Sequence, residues 1–565
     1  MDLRLFLARA IPHMCGIVTV SYTPFVTIDP TSPIKMTLVA TFAFGLMFVL
    51  LLVGLKRLKP NIKFLILLML FSINLLIVFI QSDENKIEQF YGTLGRNVGL
   101  LTQISLLIFC AVATVYSSPD LILNLKKSLL IYGSINMAYG TLQVMGEDFV
   151  TNWETTFVNS ARGFFANPNQ NSAFNAILAL ISISNLLNRK RKLSEHIGSL
   201  VFSLCAFANI YFSNSTQGFL IFGAGLAILF LLFLRQTIKY NKYFLSGSLA
   251  FSSLAVVSCL DIFQKVPWKP FLYSSTVEAR GDYMRTGISM GLDNPVFGVG
   301  LDKMFEWYRI YRDDIAGTRP WQNEVTNSAH NYFIDYFAFG GYPLLILYSI
   351  IQLLVVVKLF KILRRHREYN SKSIALLLIY FSYSLQSLIS PMHIGLLIWG
   401  WVVTGLILGW KIQDIKETKE KSVKLSLNQN SSEQNIETKT KVVSIFSIGI
   451  LFGALISSPF IIGETRFRQG LYGEKSFSQM YNAAYIWPKS STRMAQASWK
   501  LYLKGSADKS LQVALDAVKY SPNNYIAWLI LYARTDLTGP LVDEVKRNIY
   551  RLEPRPSNIT TPRTN

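Results

Sequence analysis

The chain has 565 residues, of which 51% are hydrophobic and 16% are charged, and its formal net charge is +21 at pH 7. A large soluble protein can share this average composition, so the distribution of the apolar residues decides the class. Apolar runs recur along most of the chain, which excludes an ordinary soluble enzyme, and the positive charge is a membrane-topology signal rather than a nucleic-acid-binding surface.

About 13 apolar segments approach the roughly 20 residues that a helix needs to cross the hydrocarbon core. The clear ones are 36–55, 62–81, 98–117, 216–234, 244–264, 342–363, 374–390, 393–410 and 442–462. The segments diluted by polar residues are 10–28, 128–145, 171–188 and 196–213. Each diluted segment could instead be a half-buried or re-entrant helix. The pattern predicts an all-α, polytopic transmembrane helix bundle with about 12 to 13 spans.

Lysine and arginine cluster in every second connection between these segments. Examples are Lys56–Lys59, Arg189–Lys192 and Lys358–Arg367. The positive-inside rule places these clusters in the cytoplasm and the intervening loops outside. With the N-terminus inside, an odd number of spans places the C-terminal region outside as well.

The domain organisation follows from these patterns. Residues 1–410 form a membrane domain with large outward loops at 146–171 and 264–330, and residues 442–463 form the final span. Between them, 411–441 is rich in Lys, Glu, Ser, Asn and Gln, which predicts a disordered cytoplasmic linker.

The C-terminal region, 464–565, alternates helical apolar patterns with turns. Trp487-Pro488 recurs as Ser521-Pro522 at a spacing of 34 residues, the tetratricopeptide period. We therefore predict a small, tetratricopeptide-like helical domain that offers a surface to a protein partner. Two unrelated amphipathic hairpins would give a similar pattern.

The residues that suggest chemistry lie in the two outward loops. Arg162 and Arg280 carry planar guanidinium groups that suit bidentate binding of phosphate, so two converging arginines could hold a diphosphate. His330 can accept a proton near neutral pH and act as a general base. The alternative readings are arginines that reach lipid headgroups, and a His330-Asn331 pair that caps a helix.

Other polar and aromatic side chains surround these positions. Glu278 and Asp282 flank Arg280 and could orient it, and the rings of Tyr283, Trp307 and Trp321 could stack on sugars or form an interfacial aromatic belt. No outward loop contains a metal-ligand cluster, so we expect neither a metal nor another cofactor.

At these residues the chain resembles the bacterial O-antigen ligase and O-antigen polymerase family. An arginine precedes an Asn-Pro-Asn turn at Arg162 and Asn167–Asn169. A second arginine, Arg280, lies fifteen residues before the Pro-x-x-Gly-x-Gly run that starts at Pro295. A His-Asn pair at 330–331 precedes a Gly pair at 340–341. The resemblance covers about residues 95–410, and Met284 stands where the family usually has an aromatic residue.

The resemblance implies a bundle of the GT-C-like glycosyltransferase type in the bacterial inner membrane, with its active site and C-terminal domain in the periplasm. The implied reaction is metal-independent transfer or polymerisation of a glycan from a polyprenyl-diphosphate-linked donor onto a saccharide, lipid A-core or protein acceptor. The implied catalytic residues are His330, Arg280 and Arg162. The implied substrate-binding residues are Asn169, Glu278, Asp282, Tyr283, Asn331, Trp307 and Trp321.

Two alternatives stay open at this point. One is a protein O-oligosaccharyltransferase of the same family, which some members with a similar tail resemble. The other is a lipid-linked glycan transporter or flippase, which also has about a dozen spans but usually places ionisable residues near the midplane of its helices.

Overall fold

The computed structural model describes residues 3–53, 61–149, 159–188, 191–237, 275–317, 325–365, 370–410, 432–472, 476–534 and 536–554, with isolated positions between 246 and 257. Within these residues the regular structure is α-helix and short 3-10 turns, with no β-strand. The predicted all-α fold is confirmed.

The helices of the membrane domain in chain order are α1 (Leu3–Val20), α2 (Ser32–Val53), α3 (Ile62–Gln81), α4 (Lys86–Tyr91), α5 (Leu100–Val115), α6 (Pro119–Val144), α7 (Pro168–Ser184), α8 (Leu193–Phe212), α9 (Thr216–Thr237), α10 (Ser275–Asp293), α11 (Met304–Tyr311), α12 (Asp314–Gly317), α13 (Tyr332–Arg365), α14 (Ser371–Ser387) and α15 (Ile394–Gly409). A long helix, α16 (Ser432–Leu471), leads into the C-terminal domain. That domain contains α17 (Phe477–Ala484), α18 (Ser491–Leu503), α19 (Ala507–Tyr520), α20 (Tyr525–Tyr532) and α21 (Pro540–Leu552).

Among the described residues, 7 helices are long and apolar enough to cross a membrane: α1, α2, α3, α8, α9, α13 and α16. Two shorter apolar helices, α5 and α15, lie at further predicted spans. These helices confirm a polytopic membrane protein. The predicted span 244–264 falls largely outside the described residues, so the total number of spans stays a prediction.

Helices α6, α7 and α14 occupy three other predicted spans but are less apolar. On α7, the side chains of Gln170, Asn171 and Asn175 are buried inside the bundle. Their amides find protein partners, for example the bond from Asn136 Nδ2 to Asn171 Oδ1 at 2.7 Å. Polar groups at membrane depth are tolerated when the protein itself satisfies them, which explains why the segments of α6 and α7 look diluted in the sequence.

Helix α16 differs from the sequence prediction at both ends. It begins at Ser432, so it takes in 432–441 of the predicted linker, whereas 411–431 lies outside the described residues. It also continues to Leu471, beyond the predicted boundary at 463. The extension brings Glu464 within 3.4 Å of Arg493 of α18, in a buried ion pair that links the last long helix to the C-terminal domain.

The segment predicted as an outward loop at 264–330 is largely helical where the structure describes it, because it contains α10, α11 and α12. Helix α10 packs closely on α13 through two glycines four residues apart. A Cβ on Gly287 would lie 2.7 Å from Ile334, and a Cβ on Gly291 would lie 2.5 Å from Phe337. Small residues at this spacing let helices approach closely, a signal that was present in the sequence.

The C-terminal helices α17–α21 pack in succession around a hydrophobic core of their own, which includes Met480, Val513 and Leu531. The chain turns at Gly505, whose φ of 88° lies in the left-handed region that favours glycine. The tetratricopeptide assignment itself stays a prediction. The domain rests on the connection between α3 and α5, where Asn523 Nδ2 donates to Glu84 Oε1 at 2.7 Å.

This contact places the C-terminal domain and the α3–α5 connection on the same side of the membrane. We predict that alkaline phosphatase, which is active only outside the cytoplasm, is active when fused after Lys475 and inactive when fused after Arg189 in the basic α7–α8 connection. Fusion activities measured at matched expression levels check the orientation. An active fusion after Arg189 would contradict the predicted topology.

Candidate active site

The backbone around His330 is shaped by one buried carboxylate. Asp335, in the first turn of α13, is fully buried. Its Oδ1 accepts the Ala329 N–H at 2.8 Å, and its Oδ2 accepts the Ser328 hydroxyl at 2.7 Å. These bonds pull residues 328–330 back over the N-terminus of α13 and leave His330 with a φ of 57°. A turn this sharp requires left-handed backbone angles at position 330.

Asn331, rather than His330, caps α13. The Asn331 Oδ1 accepts the N–H groups of Phe333 at 3.0 Å and of Ile334 at 3.3 Å, as an N-cap residue does. Its Nδ2 also donates to the Leu388 carbonyl at 3.3 Å. The side chain of Asn331 therefore has a structural role as the cap of α13. The described hydrogen bonds of His330 do not cap this helix.

The hydrogen bonds of His330 define which nitrogen can take a proton. Its Nδ1 lies 3.2 Å from the Ser328 carbonyl oxygen. Because a carbonyl only accepts, Nδ1 carries the hydrogen, and Nε2 keeps its lone pair. Within the described part of the chain, no hydrogen bond engages this Nε2.

A second histidine in the same region, His393, provides a contrast. Its Nδ1 accepts the Gly395 N–H at 3.2 Å at the start of α15, and its ring centroid lies 5.2 Å from that of Phe165. We assign His393 a structural role, which joins the α14–α15 connection to the loop that carries Arg162.

Arg280, on α10, is a cation close enough to His330 to affect its pKa. Burial lowers the pKa of His330 to about 3, and the positive charges of Arg280 and Arg96 add to this effect. Arg280 is half-buried and, among the described residues, makes no hydrogen bond or ion pair. Burial also lowers the pKa of Arg280. A half-buried guanidinium beside a neutral imidazole suits binding of an anion.

The acidic residues next to Arg280 do not orient it in the way that the sequence suggests. Asp282 pairs with Arg285, one turn further along α10, and Arg285 in turn contacts Asp313 at 2.6 Å. Glu278 lies half-buried on α10, one turn before Asp282. Asp282 is therefore part of a local ion-pair chain.

Of the predicted aromatic residues, Tyr283 lies at the site. Its ring centroid is 5.1 Å from that of His330 and 5.8 Å from that of Tyr308 on α11. Trp307 lies on the same helix, where its Nε1 donates to Glu84 Oε1 at 3.0 Å. Trp321 falls outside the described residues.

Arg162 lies in a different cluster. Its guanidinium pairs with Asp148, and its backbone N–H donates to Gln143 Oε1 at 2.9 Å. No contact joins it to Arg280 or His330 in the described residues, and it is absent from the groups that shift the pKa of His330. Asn169 is also engaged, because its Oδ1 accepts the Ser215 hydroxyl at 2.7 Å.

The sequence analysis missed Arg96, in the α3–α5 connection. Arg96 is buried, donates to the Asn327 carbonyl, and lies 3.1 Å from Asp335 Oδ2 and 3.5 Å from Asp302 Oδ1. The sequence did contain a signal for a cation here, because Asp335 lies in the first turn of an apolar span and needs a cation to offset its burial.

The two glycine motifs form one structural unit beneath the site. Helix α13 unwinds at Gly340 and Gly341, where Gly341 has a φ of 63°. The run that starts at Pro295 supplies the missing backbone partners: Val299 N–H donates to the Ala338 carbonyl, and Tyr342 N–H to the Pro295 carbonyl, both at 2.8 Å. A Cβ on Gly341 would lie 2.2 Å from the Pro295 oxygen, so only glycine fits. The run is a support for α13.

Metal ligation has no obvious place in this arrangement. Across the described ranges, no group of three or more His, Cys, Asp or Glu side chains is positioned to hold a metal ion.

The model of the O-antigen ligase family matches residues 200–349. This match supports assigning the chain to that family, although it covers only part of the chain. No curated protein matches the chain. The matched segment contains Arg280, Tyr283 and His330, whereas Arg162 and Arg96 lie outside it. The match supports glycosyl transfer of the ligase type by a membrane protein.

We predict that Arg96 holds the His330 loop in place. Replacing Arg96 with Gln leaves Asp335 and Asp302 buried without their cation, which should cost about 3–5 kcal/mol of stability. The matched control is Arg191→Gln, because Arg191 pairs with Glu195 at the surface at 3.9 Å, and this variant should lose about 1 kcal/mol or less. Thermal unfolding of both variants in detergent checks the difference. Equal melting temperatures would show that the buried pair contributes nothing.

Proposed function

We propose that the chain transfers a glycan from a polyprenyl-diphosphate-linked donor to an acceptor hydroxyl, at the outward face of a bacterial inner membrane. The observation that carries this proposal is the pairing of Arg280, a guanidinium with no described partner, with His330, an imidazole whose Nε2 lone pair is open. The guanidinium of Arg280 can bind an anion, and the imidazole of His330 can accept a proton.

The reaction breaks the bond between the anomeric carbon of the sugar and the diphosphate oxygen. Negative charge then accumulates on the departing diphosphate, where a fixed cation stabilises the transition state more than the ground state. Arg280 supplies that charge in a bidentate geometry. Arg162 pairs with Asp148 in a separate cluster, so its role as a second cation for the donor requires that the diphosphate take the place of Asp148.

The bond that forms joins the acceptor oxygen to the anomeric carbon, and His330 Nε2 takes the hydroxyl proton. Burial is the main cause of the low pKa of His330, and the positive charges of Arg280 and Arg96 lower it further. A diphosphate bound to Arg280 offsets the contribution of that one charge, so donor binding raises the pKa of His330 and makes it a better base.

The position of these groups supports an enzyme over a transporter. A transporter concentrates its ionisable residues near the midplane of discontinuous helices. Here Arg280 lies on α10, which is not among the long apolar helices, and His330 precedes the N-terminus of α13. The proposed activity needs no metal, and its acceptor is a hydroxyl on a saccharide, a lipid A-core or a protein. Residues 1–410 form the catalytic domain in this proposal.

We predict that Arg280→Lys lowers the transfer rate by on the order of 10- to 100-fold, although the charge is retained. An ammonium group cannot reproduce the two parallel hydrogen bonds of a guanidinium to phosphate. Arg285→Lys is the control, since Arg285 lies on the same helix and is exposed and paired with acidic residues. Its rate should change much less. Full activity of Arg280→Lys would mean that Arg280 contacts lipid headgroups and does not bind the diphosphate of the donor.

We also predict that His330→Asn is inactive but folded. Asparagine tolerates the left-handed backbone that position 330 requires, so the loop keeps its shape while the base is lost. General-base assistance is worth roughly 100- to 10,000-fold in rate. Donor binding, measured with polyprenyl diphosphate, should be nearly unchanged. An Asn variant with wild-type turnover would refute the role of His330 as base.

The pH profile of the wild type provides an independent check on the same base. His330 works only when neutral, so kcat should fall as the pH drops through its pKa in the donor complex. The acid limb of kcat/KM reports the free enzyme and should lie at lower pH. Identical acid limbs would mean that the donor does not change the basicity of His330.

A further inference from the structure

Helix α11 lies between the catalytic site and the C-terminal domain. On one side, Tyr308 is almost completely buried, and its ring packs edge-on against Tyr283, which contacts His330. On the other side of α11, Arg309 and the following Arg312 face the end of α21. The position of this short helix therefore affects the position of the aromatic ring beside the proposed base.

The C-terminal end of α11 is held by a carboxylate of the C-terminal domain. Glu553, which directly follows α21, is 2% exposed. Its Oε2 accepts from Arg309 Nη1 at 2.8 Å, and its Oε1 accepts from Arg312 Nη2 at 2.9 Å. The guanidinium of Arg309 also lies 4.4 Å from the centroid of Tyr525.

The N-terminal end of α11 is held in the same way. Lys303, which directly precedes the helix, lies 2.6 Å from Glu88 Oε2 and 2.8 Å from Glu306 Oε1. The other oxygen of Glu88 accepts both the N–H and the hydroxyl of Ser491, at 2.7 Å each. Ser491 is the first residue of α18 in the C-terminal domain.

Buried ion pairs at both ends of an eight-residue helix are a costly way to gain stability alone, since desolvation offsets much of the attraction. These ion pairs do fix the position and direction of α11. We propose that Glu553 is a positioning residue for glycan transfer, through which the docked C-terminal domain holds α11 so that Tyr283 keeps His330 in line with the acceptor. This inference rests on the proposed function, because it needs His330 to be the base.

The test compares Glu553→Gln with Glu544→Gln in the full-length protein reconstituted in lipid nanodiscs. Glutamine keeps the shape of the side chain but loses its charge, whereas Glu544 is exposed on the same helix, α21. The assay measures release of polyprenyl diphosphate from a polyprenyl-diphosphate-linked oligosaccharide, with an alkyl glycoside as the hydroxyl acceptor. Glu553→Gln should lower kcat by about 10- to 100-fold, because small misplacements of a catalytic group have effects of this size.

The expected pattern has features that a loss of fold would not produce. KM for the donor should change by less than about threefold, because the lost interaction acts in the transition state. The conservative variant Glu553→Asp keeps a carboxylate between Arg309 and Arg312 and should retain much of kcat. The kcat losses of Glu553→Gln and Tyr308→Ala should fall short of additive in the double variant, because both act through the same contact. Glu544→Gln should match the wild type.

Three outcomes would overturn the inference: wild-type kcat in Glu553→Gln, a loss confined to KM, or additive effects with Tyr308→Ala. If Glu553→Gln misfolds, Tyr308→Ala becomes the deciding variant, and wild-type kcat in a folded Tyr308→Ala counts against the inference. Failure of the proposed function looks different, because His330→Asn would then be active. An inactive His330→Asn together with a fully active Glu553→Gln would refute only the positioning role.

Discussion

The carboxylate of Asp335 is the group on which the site depends. It sits in the first turn of a long apolar helix, where burial of an unpaired charge would be prohibitive. Arg96, the Ser328 hydroxyl and the Ala329 N–H together compensate for that burial. The same bonds determine the path of the chain through residues 328–330. The direction of His330 is therefore a consequence of how this protein neutralises one buried aspartate.

A similar constraint explains the glycine motifs. A helix that unwinds at membrane depth exposes backbone groups that lipid cannot satisfy, so the protein must supply the partners. The run that starts at Pro295 does this for the break at Gly340–Gly341. Two motifs that are 40 or more residues apart in the sequence are thus one feature in space. They carry no chemistry of their own, but they fix the helix that presents His330.

The sequence was sufficient for the class of fold, and it was insufficient for the partners of the proposed site residues. Apolar runs predict helices well because burial in lipid depends on composition alone, and Arg280 and His330 stand out as titratable groups between such runs. Which charges meet is decided by tertiary packing. Arg162 met Asp148 rather than Arg280, Asp282 met Arg285, and Arg96 came from a loop with no motif. The helical state of α10 was also missed, since its mean composition is polar.

Most of the proposed site lies inside the family match, and most of its support lies outside. Arg280, Tyr283 and His330 lie within residues 200–349, whereas Arg162 does not. Charged groups that hold this segment in place come from elsewhere: Arg96, Glu84 and Glu88 precede it, and Glu553 follows it near the C-terminus. Lys303 also pairs with Glu306 inside the segment, but Asp335, Lys303 and Arg312 all bind charges outside it. The conformation of the proposed site therefore depends on the whole chain, C-terminal domain included.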